Sequence, residues 1–118
     1  EPICKEILGI VKDNSFKARV NYKEYKEFAL DDKQFLKLRT VTNLHYNDLA
    51  NTLKNQFPEL TIDDVNYCCL YLLGLKTADI SALMHKEYST TRYRKKKIKN
   101  VLKSGSNIPT ALKTLQSQ

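Results

Sequence analysis

Between Ser89 and Lys103 the chain carries seven cations, Arg92, Arg94, Lys95, Lys96, Lys97, Lys99 and Lys103, and not one acid. Any fold has to leave this stretch open to solvent on at least one side, because unpaired charges taken out of water are costly. The whole chain has 20 Lys and Arg against 13 Asp and Glu, and outside this segment the two signs balance at 13 against 13. The formal charge of +7 therefore sits on one helix-length piece. A solvated surface of mixed sign needs no such concentration. A phosphate backbone does, since cations placed along it release condensed counterions and gain affinity without reading sequence.

The segment reads as a helix. Ser89 is a favoured N-cap, and Arg and Lys are good helix formers. At about 100° per residue, Thr91, Ile98 and Leu102 fall on one side with the stem of Lys95 between them. Ser89, Tyr93, Lys96, Lys97 and Asn100 fall opposite, with Arg92 and Lys103 on the flank. Such a helix rests on a thin apolar stripe and presents cations and one aromatic outward.

The rest of the chain follows from its periodicity and its caps. A length of 118 residues is one ordinary domain, and 42% hydrophobic residues with only three Gly and three Pro indicate a compact, helical protein. Ile3, Ile7, Ile10 and Val11 share a face over residues 3–12, ending near Asp13, Asn14 and Ser15. Residues 16–30 lack periodicity and are expected to form an irregular connection whose Tyr22, Tyr25 and Phe28 cover the core. Asp31 and Asp32 open a short helix with Phe35, Leu36 and Leu38 inward. Tyr46, Leu49, Ala50, Leu53 and Phe57 mark another over 46–57, closed by Pro58. Thr61 and Asp64 form a capping box for a helix through Leu73, with Gly74 as its stop. Thr77 caps residues 78–84, His85 to Tyr88 form a polar connection, and Gly105 ends the basic helix. Pro109 suits the first turn of a last helix carrying Ala111, Leu112 and Leu115.

A short helix, a tight polar connection and a second helix rich in Arg and Lys make a helix-turn-helix candidate. The second helix would enter the major groove, about 12 Å wide, which admits one helix. Thr90, Arg92, Tyr93, Lys96 and Lys97 are then placed for base edges, Arg92 foremost as a bidentate partner of guanine. Lys86, Ser89, Lys95, Lys99 and Lys103 are placed for phosphates. Ile80, Leu83 and Met84 face the core, with Asp79 on the scaffold helix.

These residues resemble a known family. Leu60-Thr61, Gly74-Leu75, Ile80, Leu83-Met84, Ser89-Thr90-Thr91 and Ile98 look like the LuxR/GerE-type helix-turn-helix. Phe57 to Thr61, Cys68 to Leu70, Asp79 to Leu83 and Tyr93 to Ile98 are similar to the C-terminal domain of membrane-anchored bacterial tetratricopeptide-repeat regulators. Pro2-Ile3-Cys4 and Phe28-Ala29-Leu30-Asp31 extend the likeness over most of the chain. The chain departs from the pattern at Lys76, where the family has Ser, at Thr91, where it has Val or Leu, and in the longer polar turn His85 to Tyr88. The resemblance implies a cytoplasmic part of an inner-membrane-anchored parent and a homodimer formed through an upstream coiled coil; RNA polymerase enters as the acidic partner of the alternative reading given below.

Other chemistry finds little support. Asp31-Asp32 and Asp63-Asp64 sit at helix starts, where capping accounts for them. His45 and His85 have no evident nucleophile beside them. Cys4, Cys68 and Cys69 read as buried thiols of a reducing compartment rather than as disulfides or zinc ligands. No apolar run reaches the length of a membrane span, and there is no phosphate-cradling glycine loop. The outward face of the basic helix lacks the large apolar residues that lying on an anionic membrane would use.

The expected fold is therefore all-α, an N-terminal helical extension over 1–58 packed on a LuxR-like helix-turn-helix over 59–118, without a clear wing. The expected function is non-enzymatic: binding of double-stranded DNA as the output domain of a transcription regulator, with no cofactor, metal or small-molecule ligand. The alternatives are a protein-interaction module that presents the basic helix to an acidic partner, and an RNA-binding module.

Overall fold

The computed structural model describes residues 2–14, 16, 22–103 and 105–116. The described residues are all helical or connecting, with no strand among them. Helices run α1 (Pro2–Asn14), α2 (Asp32–His45), α3 (Leu49–Gln56), α4 (Ile62–Leu72), α5 (Thr77–Met84), α6 (Tyr88–Val101) and α7 (Ile108–Gln116), with a 3-10 segment (Tyr22–Phe28) between α1 and α2. The all-α expectation is met. Ser15, and residues 17–21 of the expected irregular connection, lie outside the described residues.

The organising element is α4. Every residue from Asp64 to Tyr71 is buried. A helix covered on all sides has to sit at the centre of its domain, and α4 packs against α2, α3, α5, α6 and α7. Val65, Tyr67, Cys68, Cys69 and Leu70 are sealed, and they join Ile7, Leu38, Leu49, Leu53, Ile80, Leu83, Ile98, Ile108 and Leu112 in one hydrophobic cluster. Each such side chain contributes about 1.5–3 kcal/mol on leaving water. The cluster draws on both the expected N-terminal extension and the helix-turn-helix part.

Local chemistry explains most helix starts. The Gln34 amide donates to the Asp31 carboxylate and the Asp31 amide donates to the Gln34 side chain, both at 2.8 Å, closing a capping box on α2. Thr61 and Asp64 close the second box, on α4, at 2.9 and 3.1 Å. Gly74 follows α4 with φ at +80°, the left-handed conformation that glycine enters without a Cβ penalty.

Three boundaries and one inward placement differ from the reading of the sequence. Helix α2 runs on to His45, so Tyr46 is its C-cap, and Asn47 and Asp48, both at positive φ, turn the chain into α3. Leu36 is 57% exposed, because α2 buries the Phe35, Leu38 and Thr42 stripe and leaves its neighbour outside. Thr77 is the first residue of α5 rather than its cap, a position Lys76 takes with no side-chain bond. Helix α6 stops at Val101, and the left-handed residue after it is Lys103 at φ +52°, before Gly105 is reached.

Aromatics close one end of the molecule. Phe16 is buried with its ring centroid 4.7 Å from that of Tyr25 and 5.4 Å from that of Phe28. The Leu30 amide donates to the Leu83 carbonyl at 2.8 Å, which pins this end of the 3-10 segment to the last turn of α5. Tyr22, Tyr25 and Phe28, expected to cover the core, instead pack on Phe16, on one another and on His85, beside the main hydrophobic cluster. Burial pushes the thiols of Cys68 and Cys69 up, Cys69 to about 11, so both stay protonated and behave as small apolar groups.

Candidate nucleic-acid interface

Helix α5 ends on His85 at φ +52°, with the His85 amide donating to the Ala82 carbonyl at 3.2 Å and the Lys86 amide to the Ser81 carbonyl at 2.9 Å. This pair of bonds is a Schellman turn, in which His85 occupies the left-handed site that usually belongs to Gly. Its ring lies 5.0 Å from that of Tyr22, which helps hold it there. Two residues later Glu87 is the N-cap of α6, without a side-chain bond to the helix. Ser89, expected as the cap, is therefore the second helical residue and points to solvent. The cap falls two residues before Ser89 because the Schellman exit delivers an extended Glu87 directly to Tyr88.

Thr91 and Ile98 are completely buried beneath α6, two turns apart on one line. The exposed residues are Ser89, Arg92, Tyr93, Lys96 and Asn100, with Lys103 just beyond the helix. Their spacing of three or four residues makes one continuous outward stripe, and Tyr93 at 69% exposed is its aromatic member. Arg92, Tyr93 and Lys96, the residues expected at base edges, are thus all turned outward. Thr90 is half-buried on the shoulder of the helix, as are Lys95 and Lys99, and Lys86 is half-buried in the preceding turn.

Lys97 is different. Its Nζ lies 2.7 Å from Oδ2 of Asp64, and Nη1 of Arg94 lies 2.9 Å from Oδ1 of the same carboxylate. Asp64 is fully buried and also accepts the Thr61 amide. One carboxylate thereby caps α4 and clamps α6 to it. Burial pushes its pKa up, but bonds from Lys97, the Thr61 amide and Arg94 outweigh this and hold it below the ordinary carboxylate value. The bond from Asp64 raises the Arg94 pKa in turn. The outward placement expected for Lys97 is therefore corrected: its ammonium is drawn inward because the buried charge takes a second partner. The other arginine of the segment, Arg92, has no such carboxylate and faces water.

The remaining cations converge on a shallow groove of about 500 Å³. Arg92, Lys95, Lys96 and Lys99 line it from α6, Thr77 from the first turn of α5, and no carboxylate takes part. The structure so joins two residues expected at bases, Arg92 and Lys96, with two expected at phosphates, Lys95 and Lys99. Lys86, Ser89 and Lys103 lie outside this groove. Lys95 Nζ sits 5.8 Å from the centroid of the Tyr71 ring, a cation–π distance. Tyr71 and the groove residue Tyr88 carried no signal in the sequence reading, since tyrosines at helical spacing look like core. Asp64 was visible only as a cap.

Beneath α6 a polar defect remains. The hydroxyls of Tyr67 and Thr91 are buried without a hydrogen-bond partner. Burial raises the Tyr67 pKa, and the Thr91 hydroxyl is near enough to lower it somewhat without meeting hydrogen-bond geometry. Thr91→Val, which keeps the shape and removes one orphaned hydroxyl, is expected to stabilise the fold by about 1 kcal/mol. A higher melting temperature checks this, and an unchanged or lower one would mean that the hydroxyl is satisfied.

Among the described residues no helix is long and apolar enough to cross a membrane, and no group of His, Cys, Asp or Glu is arranged to hold a metal ion. Comparison with protein-family models, with curated proteins and with solved structures finds no match.

Proposed function

We propose that the chain binds double-stranded DNA through α6 and serves as the output domain of a bacterial transcription regulator. The observation that carries this reading is the outward stripe of α6. The Asp64 clamp consumes Arg94 and Lys97 from behind, while Arg92, Lys96 and Lys103 face solvent with Tyr93 among them and Lys95 and Lys99 stand on the shoulder. A rigid helix presenting unneutralised cations suits both backbone neutralisation and base readout. A tight Schellman turn from α5 supports it as the second helix of a helix-turn-helix. One such helix reads few bases, so two copies on paired half-sites, joined through a coiled coil upstream, complete the proposal. The resemblance to membrane-anchored tetratricopeptide-repeat regulators implies a cytoplasmic position for the proposed domain.

The test is a salt titration on random and genomic duplexes. A steep fall of affinity with salt, and a specificity ratio well above one, support the reading. Salt-insensitive binding sinks it, and tight capture of an acidic protein with no duplex binding favours the interaction module instead. Arg92→Ala is expected to reduce discrimination between sites by about 1–3 kcal/mol. Lys99→Ala is expected to weaken all duplexes alike and flatten the salt slope by about one unit. Competition binding on matched and mismatched duplexes separates the two effects.

A further inference from the structure

The two flanks of α6 differ in chemistry. On the side toward α5 the shallow groove carries Arg92, Lys95, Lys96 and Lys99. On the side toward α4 lies a recess of about 340 Å³, lined mostly by apolar surface of Tyr93, Lys96, Lys97, Asn100 and Val101. Lys96 and Asn100 line both hollows and form the crest between them.

The Asp64 clamp creates this difference. At about 100° per residue, Arg94 and Lys97 fall on the α4 flank much as Arg92 and Lys99 fall on the α5 flank, so spacing alone makes both flanks cationic. Asp64 draws the Arg94 guanidinium to 2.9 Å and the Lys97 ammonium to 2.7 Å. What Lys97 leaves at the recess is its aliphatic stem. Val101, half-buried against the hydrophobic cluster, extends that apolar floor. Tyr93, 69% exposed, stands as the outer wall, and Asn100 is exposed on the crest beside it. A phosphate gains little on this flank, where the Lys97 ammonium is already engaged. The apolar feature that base edges present in the major groove is the C5-methyl of thymine, and its partner adenine presents the N6 and N7 atoms that an Asn amide reads with two bonds.

We infer that the recess on the α4 flank is a thymine-methyl site, with Tyr93 and Val101 against the methyl and Asn100 on the adenine of the same A·T pair. This site rests on the proposed binding of duplex DNA through α6, and it names the base that the flank selects. Discrimination here comes from apolar contact rather than from charge, so it should hold at salt concentrations that erode the contribution of the cationic flank.

The probe is the duplex that binds most tightly out of a random pool, resynthesised with deoxyuridine replacing each thymine in turn. One position per half-site is expected to weaken binding about three- to fivefold, the scale of one buried methyl, by the same factor at low and at high salt. Tyr93→Ala, an exposed change that leaves the melt level, should bind the thymine and deoxyuridine duplexes equally, while Arg92→Ala keeps the difference. Lys97→Ala leaves an apolar wall and should keep it too. Replacing that A·T pair by G·C should cost wild type about tenfold, and Asn100→Ala should lose most of this preference. Duplexes bound with no position sensitive to deoxyuridine, or a sensitivity that Tyr93→Ala retains, overturn the site and leave DNA binding standing. A sensitivity that fades as salt rises also overturns it, since that marks a charged contact. Absence of salt-dependent duplex binding removes the DNA reading and the site with it, a result visible in the pool before any thymine is replaced.

Discussion

Asp64→Asn is expected to cost about 2–4 kcal/mol of folding stability, although the change is nearly isosteric. The carboxylate is fully buried and serves three donors: the Thr61 amide, which closes the capping box of α4, Arg94 and Lys97. Hydrogen bonds to charged groups are worth about 1.5–3 kcal/mol each, and removing one partner of a buried pair exposes the whole desolvation penalty of the other. Arg94 and Lys97 keep part of their side chains in water, 26% and 31%, so both can turn outward and the loss stays short of a fully buried pair. Thermal or urea unfolding measures it. A change within about 0.5 kcal/mol would mean that the clamp is a surface ion pair of ordinary weakness.

The same group sets a pH signature. Its folded pKa lies below the ordinary value, so its contribution is complete above the unfolded pKa and is lost as pH falls through the folded one. The stability difference between wild type and Asp64→Asn should be flat from pH 7 to about pH 4 and shrink below that, since an unfolded Asp titrates near 3.9. A difference that grows on acidification would contradict the assignment.

Ile98→Ala is expected to be as damaging, at about 2–4 kcal/mol. Ile98 is completely buried and, with Thr91, is one of two buried contacts that seat α6. Truncation removes transfer energy and leaves a cavity that a thin interface fills poorly. Because α6 is otherwise held by the Asp64 clamp, the loss should fall first on that helix: its amides exchange faster, and duplex affinity drops with them. Arg92→Ala is the contrast, an exposed change that leaves the melt within about 0.5 kcal/mol while altering readout. Hydrogen exchange resolved by residue distinguishes the two. Uniform protection of α6 in Ile98→Ala would show that its seat lies elsewhere.

A linked expectation concerns Lys97. Since it holds Asp64 rather than facing outward, Lys97→Ala should lower stability without changing preference among duplexes, whereas Lys96→Ala should do the reverse. Parallel melts and competition binding check the pair, and a specificity loss in Lys97→Ala would return that side chain to the interface.

Much of the fold was legible before any coordinates. Asp31 with Gln34 and Thr61 with Asp64 close their boxes across three residues, and Gly74 takes the left-handed turn, because each depends on atoms within one helical turn of itself. The buried face of α6, Thr91 and Ile98, followed from helical period alone. So did the outward placement of Arg92, Tyr93 and Lys96. Where two local solutions compete, the residues nearby did not decide. Ser89 is a good cap but lies inside α6, and Lys103 takes the left-handed turn ahead of Gly105. In both cases the packing of α6 against its neighbours chose the boundary.

What the amino-acid order determined by itself is an all-helical chain with one cationic helix seated on a narrow stripe, since periodicity, capping and charge run are properties of adjacent residues. Only the tertiary structure decided which cations remain available. Asp64 stands 30 positions from Arg94 and 33 from Lys97, and a carboxylate at that distance becomes their partner only when α4 and α6 pack together. The buried, unpartnered hydroxyl of Tyr71, whose ring lies under Lys95, has the same origin. Pairing of charges and orphaning of donors depend on which surfaces meet in space, and sequence spacing holds no measure of that.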